Sequence, residues 1–325
     1  MSIGLTRPAR LAPLPVALLT AALLTGCGSP VPATLEASEG FPMTISSCGR
    51  DVTFTTAPQR VVTVGSVAAP LIAAAGAADR IVTRTFETAP FPGRYADALK
   101  GVEITAPTGE LAREEIINRT PDLVVSFEGA AVTPDDLARV NIPLLVTRGY
   151  CRDAAGNYDD IFADIELYGR LFGTATAANA EVTALKQRVA AVADRHRAEH
   201  TARAAAALII SRDGAKLSAY GSTSTVATQM GILGLHNVFG DVAKRNFDAN
   251  TETLIQRDPE VIILLTQGTQ TPESARDALR ARPELAGLRA IRANRIIAVP
   301  FGYTGPGPVA VEGLEVLDRE LGAQR

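Results

Sequence analysis

Two stretches of the chain carry one pattern of polar and apolar positions. Glu114-Glu115-Ile116-Ile117-Asn118-Arg119-Thr120-Pro121-Asp122-Leu123-Val124-Val125 corresponds, at an offset of 138 residues, to Glu252-Thr253-Leu254-Ile255-Gln256-Arg257-Asp258-Pro259-Glu260-Val261-Ile262-Ile263. Each reads as the end of a helix, a proline that stops it, an acid, and then a continuous apolar run of the kind buried on both faces of a parallel sheet. Similar runs flank both joints, with 60–64 and 206–210 as first strands and 143–146 and 295–299 as last strands. Strands alternating with helices predict an α/β protein of two lobes. Between them, Ile161, Ile165, Tyr168, Leu171, Phe172, Val182, Leu185, Val189 and Val192 recur at helical spacing with no strand signal. Residues 157–200 are therefore expected to form one long connecting helix with a break near Gly173-Thr174, leaving lobes at 47–156 and 201–325.

The first 26 residues follow a different rule. Arg7 and Arg10 precede an apolar stretch from Leu11 to Leu24 that is too short for the roughly 20 residues of a membrane span, which is the pattern of an export signal. It ends in Leu24-Thr25-Gly26-Cys27, which resembles the lipobox of bacterial lipoproteins, where the cysteine takes a diacylglyceryl group and becomes the N-terminus. Cys27 is thus the expected lipidation site, and two acyl chains would anchor the protein stably. Residues 27–46, rich in Ser, Pro, Ala and Glu without periodicity, suit a solvated tether.

Composition narrows the chemistry. With 325 residues, 46% hydrophobic, the chain can bury two sizeable cores. Lys and Arg total 32 against 35 Asp and Glu, so no polycationic face is available for nucleic acid. If Cys27 is lipidated, Cys48 and Cys151 remain as an even pair in an oxidising compartment, which predicts a Cys48 to Cys151 disulfide; two buried free thiols are the alternative.

The sequence resembles the substrate-binding proteins of ABC importers for ferric siderophores, haem and vitamin B12. The residues that carry the resemblance are Ala57-Pro58-Gln59-Arg60-Val61-Val62, the passage from Ile72 through Ala73-Ala74-Ala75-Gly76-Ala77-Ala78-Asp79-Arg80 to Ile81-Val82, and the two proline-acid joints. It implies two Rossmann-like lobes joined by a long helix (the class III periplasmic-binding-protein fold), a shallow ligand cleft, and delivery to a membrane permease driven by a cytoplasmic ATPase. Cys48-Gly49-Arg50 paired with Cys151 is similar to versions of the family from high-GC Gram-positive bacteria, which implies the outer face of the cytoplasmic membrane. A monomer with no resident cofactor is expected, because the iron of a ferric siderophore arrives already coordinated.

In open α/β sheets ligands sit beyond the carboxyl ends of the strands. The loops there offer Arg84, Phe86, Phe127, Tyr150, Arg212, Tyr220, Arg245, Phe247 and Tyr303 as ligand-binding candidates. Arg84, Arg212 and Arg245 would supply charge to an often anionic chelate, and the rings would supply shape. Any one of them alone can equally be a solvated loop residue or a ring that packs a lobe. Haem is a weaker fit, since its iron usually takes a protein ligand and His236 is the only imidazole outside the connecting helix. Direct binding of zinc or manganese would need converging His or carboxylates that these loops lack.

Asp135, Asp136 and Glu273 stand at Thr-Pro-acid helix starts, one in each lobe. The resemblance implies that such acids dock on the permease, and the same residues also suit plain N-terminal capping. His196-Arg197-Ala198-Glu199-His200 has the spacing of an inverzincin zinc motif but lies in an almost wholly polar run, so a solvated helix face is expected. Gly302-Tyr303-Thr304-Gly305-Pro306-Gly307 has no P-loop lysine and is expected to shape the cleft floor. No nucleophile, base and oxyanion set is legible, so an exported enzyme is not expected. A ligand-free scaffold or adhesion lipoprotein remains the rival to a solute receptor.

Overall fold

The computed structural model describes residues 40–87, 90–107, 109–152, 154–197, 202–211 and 213–324. Cys27, Arg212 and His200 lie outside the described residues.

The N-terminal lobe begins with a hairpin of β1 (Met43–Ser47) and β2 (Arg50–Phe54). It continues through β3 (Val61–Val64), α1 (Ala68–Ala74), β4 (Ile81–Thr85), α2 (Gly93–Ala98), α3 (Arg113–Asn118), β5 (Leu123–Ser126), α4 (Pro134–Ala138) and β6 (Leu144–Val146). Its sheet is parallel throughout, in the order β4-β3-β5-β6. All four residues of β3 and of β5 are buried, as strands covered on both faces require.

The two connecting helices are α5 (Tyr158–Leu171) and α6 (Ala175–His196), with the expected break at 172–174. The break reverses the chain. The Lys186 ammonium lies 5.4 Å from the Phe162 ring centre, whereas 24 residues of continuous helix would hold them about 36 Å apart. The sequence showed the interruption, but a helical period carries no information on the direction taken after it. Each helix touches both lobes: Thr174 donates to the Ala75 carbonyl at one end of α6, while Arg188 clamps Glu315 at the other.

The C-terminal lobe follows as β7 (Arg203–Ile210), β8 (Leu217–Tyr220), α7 (Thr225–Ile232), β9 (Leu235–Asn237), β10 (Asn246–Asp248), α8 (Thr251–Arg257), β11 (Val261–Thr266), α9 (Pro272–Arg280), α10 (Arg289–Arg292), β12 (Ile296–Pro300) and α11 (Val309–Gly322). Its sheet runs β10-β8-β7-β11-β12, with β9 also on β7. It is mixed, because β8 is antiparallel to both of its neighbours.

The repeated joint is the same structure twice. Thr120 and Asp258, each just before its proline, adopt the left-handed conformation at φ 48° and 38°. A proline disfavours the right-handed helical region in the residue before it, so each helix turns out of its axis at this point and delivers the chain to a central strand. The next residue then bonds the first strand, Asp122 N–H to the Arg60 carbonyl and Glu260 N–H to that of Ala204. The core on one face of the sheets is continuous through both lobes and the helix pair, from Val61 and Leu71 through Ile165 and Leu185 to Ile263 and Leu314.

Candidate ligand-binding site

The carboxyl ends of the strands carry a row of rings. Phe86 follows β4, Phe127 follows β5 and Tyr150 follows β6. Phe86 stacks on Phe127 with centroids 5.8 Å apart, and Phe127 meets Tyr150 at the same distance in a tilted arrangement. Gly65, at the end of β3, lets this row pass. A Cβ there would come within 3.0 Å of the Phe127 ring, and its φ of +90° suits glycine alone. Gly65→Ala is therefore expected to push Phe127 out of the row and to cost about 1 to 2 kcal/mol of stability. Chemical denaturation of the two proteins checks this, and equal stability would show that the chain tolerates a side chain at position 65.

At the β6 end the row crosses between the lobes. The Arg245 guanidinium, just before β10, lies 4.7 Å from the Tyr150 ring centre in a cation–π contact. Tyr220 shares this corner, and burial pushes its hydroxyl above the usual tyrosine range while Arg245 pulls it back. Nearby, Pro306 of the 305–308 loop occupies the space into which a side chain at position 149 would point, so that loop closes the floor of the cleft beneath Tyr150.

At the β4 end a cavity of about 440 Å³ opens between the lobes. Arg84, Glu87, Phe91, Leu99, Lys100 and Ile104 line it from the N-terminal lobe, and Gly268 and Thr269, just past β11, from the other. Arg84 is 8% exposed. Its Nη1 donates to both carboxylate oxygens of Glu87 at 3.0 Å, its Nε is buried without a partner, and its guanidinium lies 5.8 Å from the Phe91 ring centre. Burial drives the Glu87 carboxyl above its usual range, against the opposing pull of Arg84. Sequence reading overlooked Glu87, Phe91 and Lys100. Only the spacing of Glu87, three residues beyond Arg84, could have suggested the pair.

The nine candidates therefore divide. Phe86, Phe127, Tyr150 and Arg245 come together in one row, Tyr220 is buried in the core beside Arg245, Arg84 lines the cavity, and Arg212 lies outside the described residues. Phe247 turns to the other face of its sheet and stands edge-on to Phe239 in the outer core, 5.5 Å between centroids. Residues two apart in a strand share a face, but Arg245 precedes β10 and so escapes that rule, whereas Phe247 lies within the strand opposite Ala219 of the outer core. Tyr303 lies over α11, where burial and then Glu312 push its hydroxyl above the usual tyrosine range and Arg319 pulls it back.

The acids at the helix starts have different occupations. Asp136 accepts from the Thr133 N–H and hydroxyl and so caps α4, whereas Asp135 pairs with Arg50 at 2.9 Å and Glu273 reaches only Arg276 at 3.6 Å. Both helices begin just beyond strand carboxyl ends, on the cleft side. His196, expected on a solvated face, is instead 6% exposed and hydrogen-bonds Asp318 of α11 at 2.7 Å. Packing of α6 against the second lobe claims it, which a local count of apolar neighbours does not register. Among the described residues no cluster of three or more metal-ligating side chains occurs, and no helix is long and apolar enough to cross a membrane.

Residues 61–303 match the family model described as periplasmic binding protein. The chain belongs to this family. Its members are extracytoplasmic solute-binding proteins of ABC transporters, not enzymes. Among solved structures, that of an ABC-type Fe3+-hydroxamate transport system from Saccharomonospora viridis is similar at 32% identity and a TM-score of 0.78, over 87% of this chain and 99% of that one. The haem-binding protein RhuT of Roseiflexus sp. RS-1 is similar at 22% identity and TM-score 0.66, covering 82% and 98%. The vitamin B12 binding protein BtuF of Vibrio cholerae is similar at 16% and 0.63, covering 83% and 98%. The last two share the fold. No curated protein matches the chain.

Proposed function

We propose that this binding protein is a lipoprotein, anchored through Cys27, that captures a ferric siderophore in the cleft between its lobes and delivers it to an ABC permease. The observation that carries the reading is the row of rings Phe86, Phe127 and Tyr150 that reaches Arg245 of the other lobe, together with a cavity at Arg84 lined from both lobes. Such a surface suits a bulky chelate that brings its own metal. The 32% identity with the hydroxamate transport protein supports an iron chelate over the other cargoes of the fold. Haem has less support from the imidazoles, since His196 is held by Asp318 and His236 lies on β9 away from the cleft. Asp135 and Glu273, exposed on the cleft side of each lobe, are the acids best placed to meet the permease.

Thermal unfolding of the soluble body against ferric hydroxamates, catecholates and citrate, haem and cobalamin tests the reading. Ligand at 100 times Kd adds about 2.7 kcal/mol, so one iron chelate should raise the midpoint and its metal-free form should not. No shift across the panel would favour a scaffold lipoprotein.

A further inference from the structure

The charges around the cleft are arranged unevenly. Arg152 stands 3.9 Å from Glu128 on the rim beyond β5, and Arg148, following β6, stands 3.4 Å from Asp164, which is buried on α5. Arg84 and Glu87 face each other at the cavity with side chains only 10% and 8% exposed. Lys100 is exposed to solvent at the cavity mouth, where salt screens it. Arg245, at the far end of the ring row, has no acidic partner among the described residues. A chelate entering the cavity therefore meets a buried ion pair with no net charge, walled by Phe91, Leu99 and Ile104. Arg245 itself lies beyond the three rings Phe86, Phe127 and Tyr150.

We propose that Glu87 is a specificity-determining residue that neutralises Arg84 and thereby excludes polyanionic chelates in favour of neutral ones; this rests on the reading of the cleft as a ferric-chelate site. Three hydroxamate monoanions on Fe(III) make an uncharged complex, whereas three catecholate dianions leave a charge of −3. A buried carboxylate repels the second and is indifferent to the first, so it lowers the affinity for that class alone. The arrangement is costly, because both charges are taken out of water and the Arg84 Nε is left without a partner. A site built only to attract anions would leave Arg84 unopposed.

The test uses the mature chain with ferrioxamine B as an hydroxamate complex of low charge and ferric enterobactin as the tricatecholate. Wild type is expected to bind the first at least about tenfold more tightly than the second, a difference of about 1.4 kcal/mol. Glu87→Gln keeps the shape and an acceptor for Arg84 but removes the charge, and should raise tricatecholate affinity at least tenfold relative to the hydroxamate. The double variant Arg84→Gln, Glu87→Gln restores neutrality and should return the ratio toward wild type, which controls for local disruption. An unchanged ratio in Glu87→Gln, with hydroxamate binding intact, overturns the assignment of Glu87. Failure of wild type to bind any ferric chelate overturns the receptor reading itself, and the proposal with it.

Discussion

Replacing Cys151 with Ser is expected to lower the unfolding midpoint of the soluble body by about 10 °C. The Cys48 to Cys151 disulfide is formed, with Cα atoms 5.2 Å apart, and it closes a separation of 103 residues. Chain-entropy arguments give about 4 to 5 kcal/mol for a loop of that length, and each kcal/mol moves the midpoint of a domain of 150–250 residues by roughly 2 to 4 °C. The bond also has a local task. It ties the turn between β1 and β2 to the segment following Tyr150, alongside Ser47, whose hydroxyl accepts from the Val146 N–H. Losing it frees the chain next to the ring that meets Arg245, so chelate affinity should fall as well. Reductant should reproduce the shift in wild type and leave the variant unmoved. Equal midpoints for the two proteins would show that packing alone fixes the hairpin.

Stability should also fall as pH rises from 5 to 8, and Asp164→Asn should remove most of that fall. Asp164 is 3% exposed on α5, where burial pushes its carboxyl up to about 7. Its Oδ2 accepts from the Arg148 N–H at 2.9 Å and its Oδ1 from Arg148 Nε at 3.4 Å, but Arg148 is half in solvent and offsets only part of the desolvation. In the unfolded chain the carboxyl titrates near 3.9. The folded state therefore holds the proton more tightly. Its advantage is full below about pH 4, declines through the interval up to about pH 7, and is constant above it. At up to about 1.4 kcal/mol per pH unit the change between pH 5 and 8 is roughly 2.5 kcal/mol. Denaturation of both proteins at pH 5 and pH 8 checks this, since other titrating groups cancel in the comparison. Parallel profiles would mean that Asp164 titrates normally.

The lobes were legible because their signals are local. Runs such as Val261-Ile262-Ile263 declare a strand buried on both faces, and Pro121 and Pro259 declare the joints before them. The rule that ligands lie beyond strand carboxyl ends brought Phe86, Phe127, Tyr150 and Arg245 into consideration. What escaped depends on contacts between distant segments. The register of β10 on β8, which sets Phe247 opposite Ala219, decides which face Phe247 takes, and α11 decides that His196 is buried. Glu87 was hidden for a different reason: an acid in a loop three residues past a strand arginine looks like surface decoration until burial shows that the two are paired away from solvent.

The doubled helix between the lobes has a mechanical consequence. A lone strut can bend at one point and let two lobes clap shut. Here α5 and α6 run side by side in opposite directions and each is tied to both lobes, α6 by Thr174 and Arg188 and α5 by Asp164 at its middle and by the Tyr158 hydroxyl on the Ala310 carbonyl at its start. Flexing such a two-ply beam requires one ply to slip along the other, which packed side chains resist. The outline of the molecule should thus differ little between empty and loaded forms, and a permease would have to read occupancy from the cargo and the rim around it.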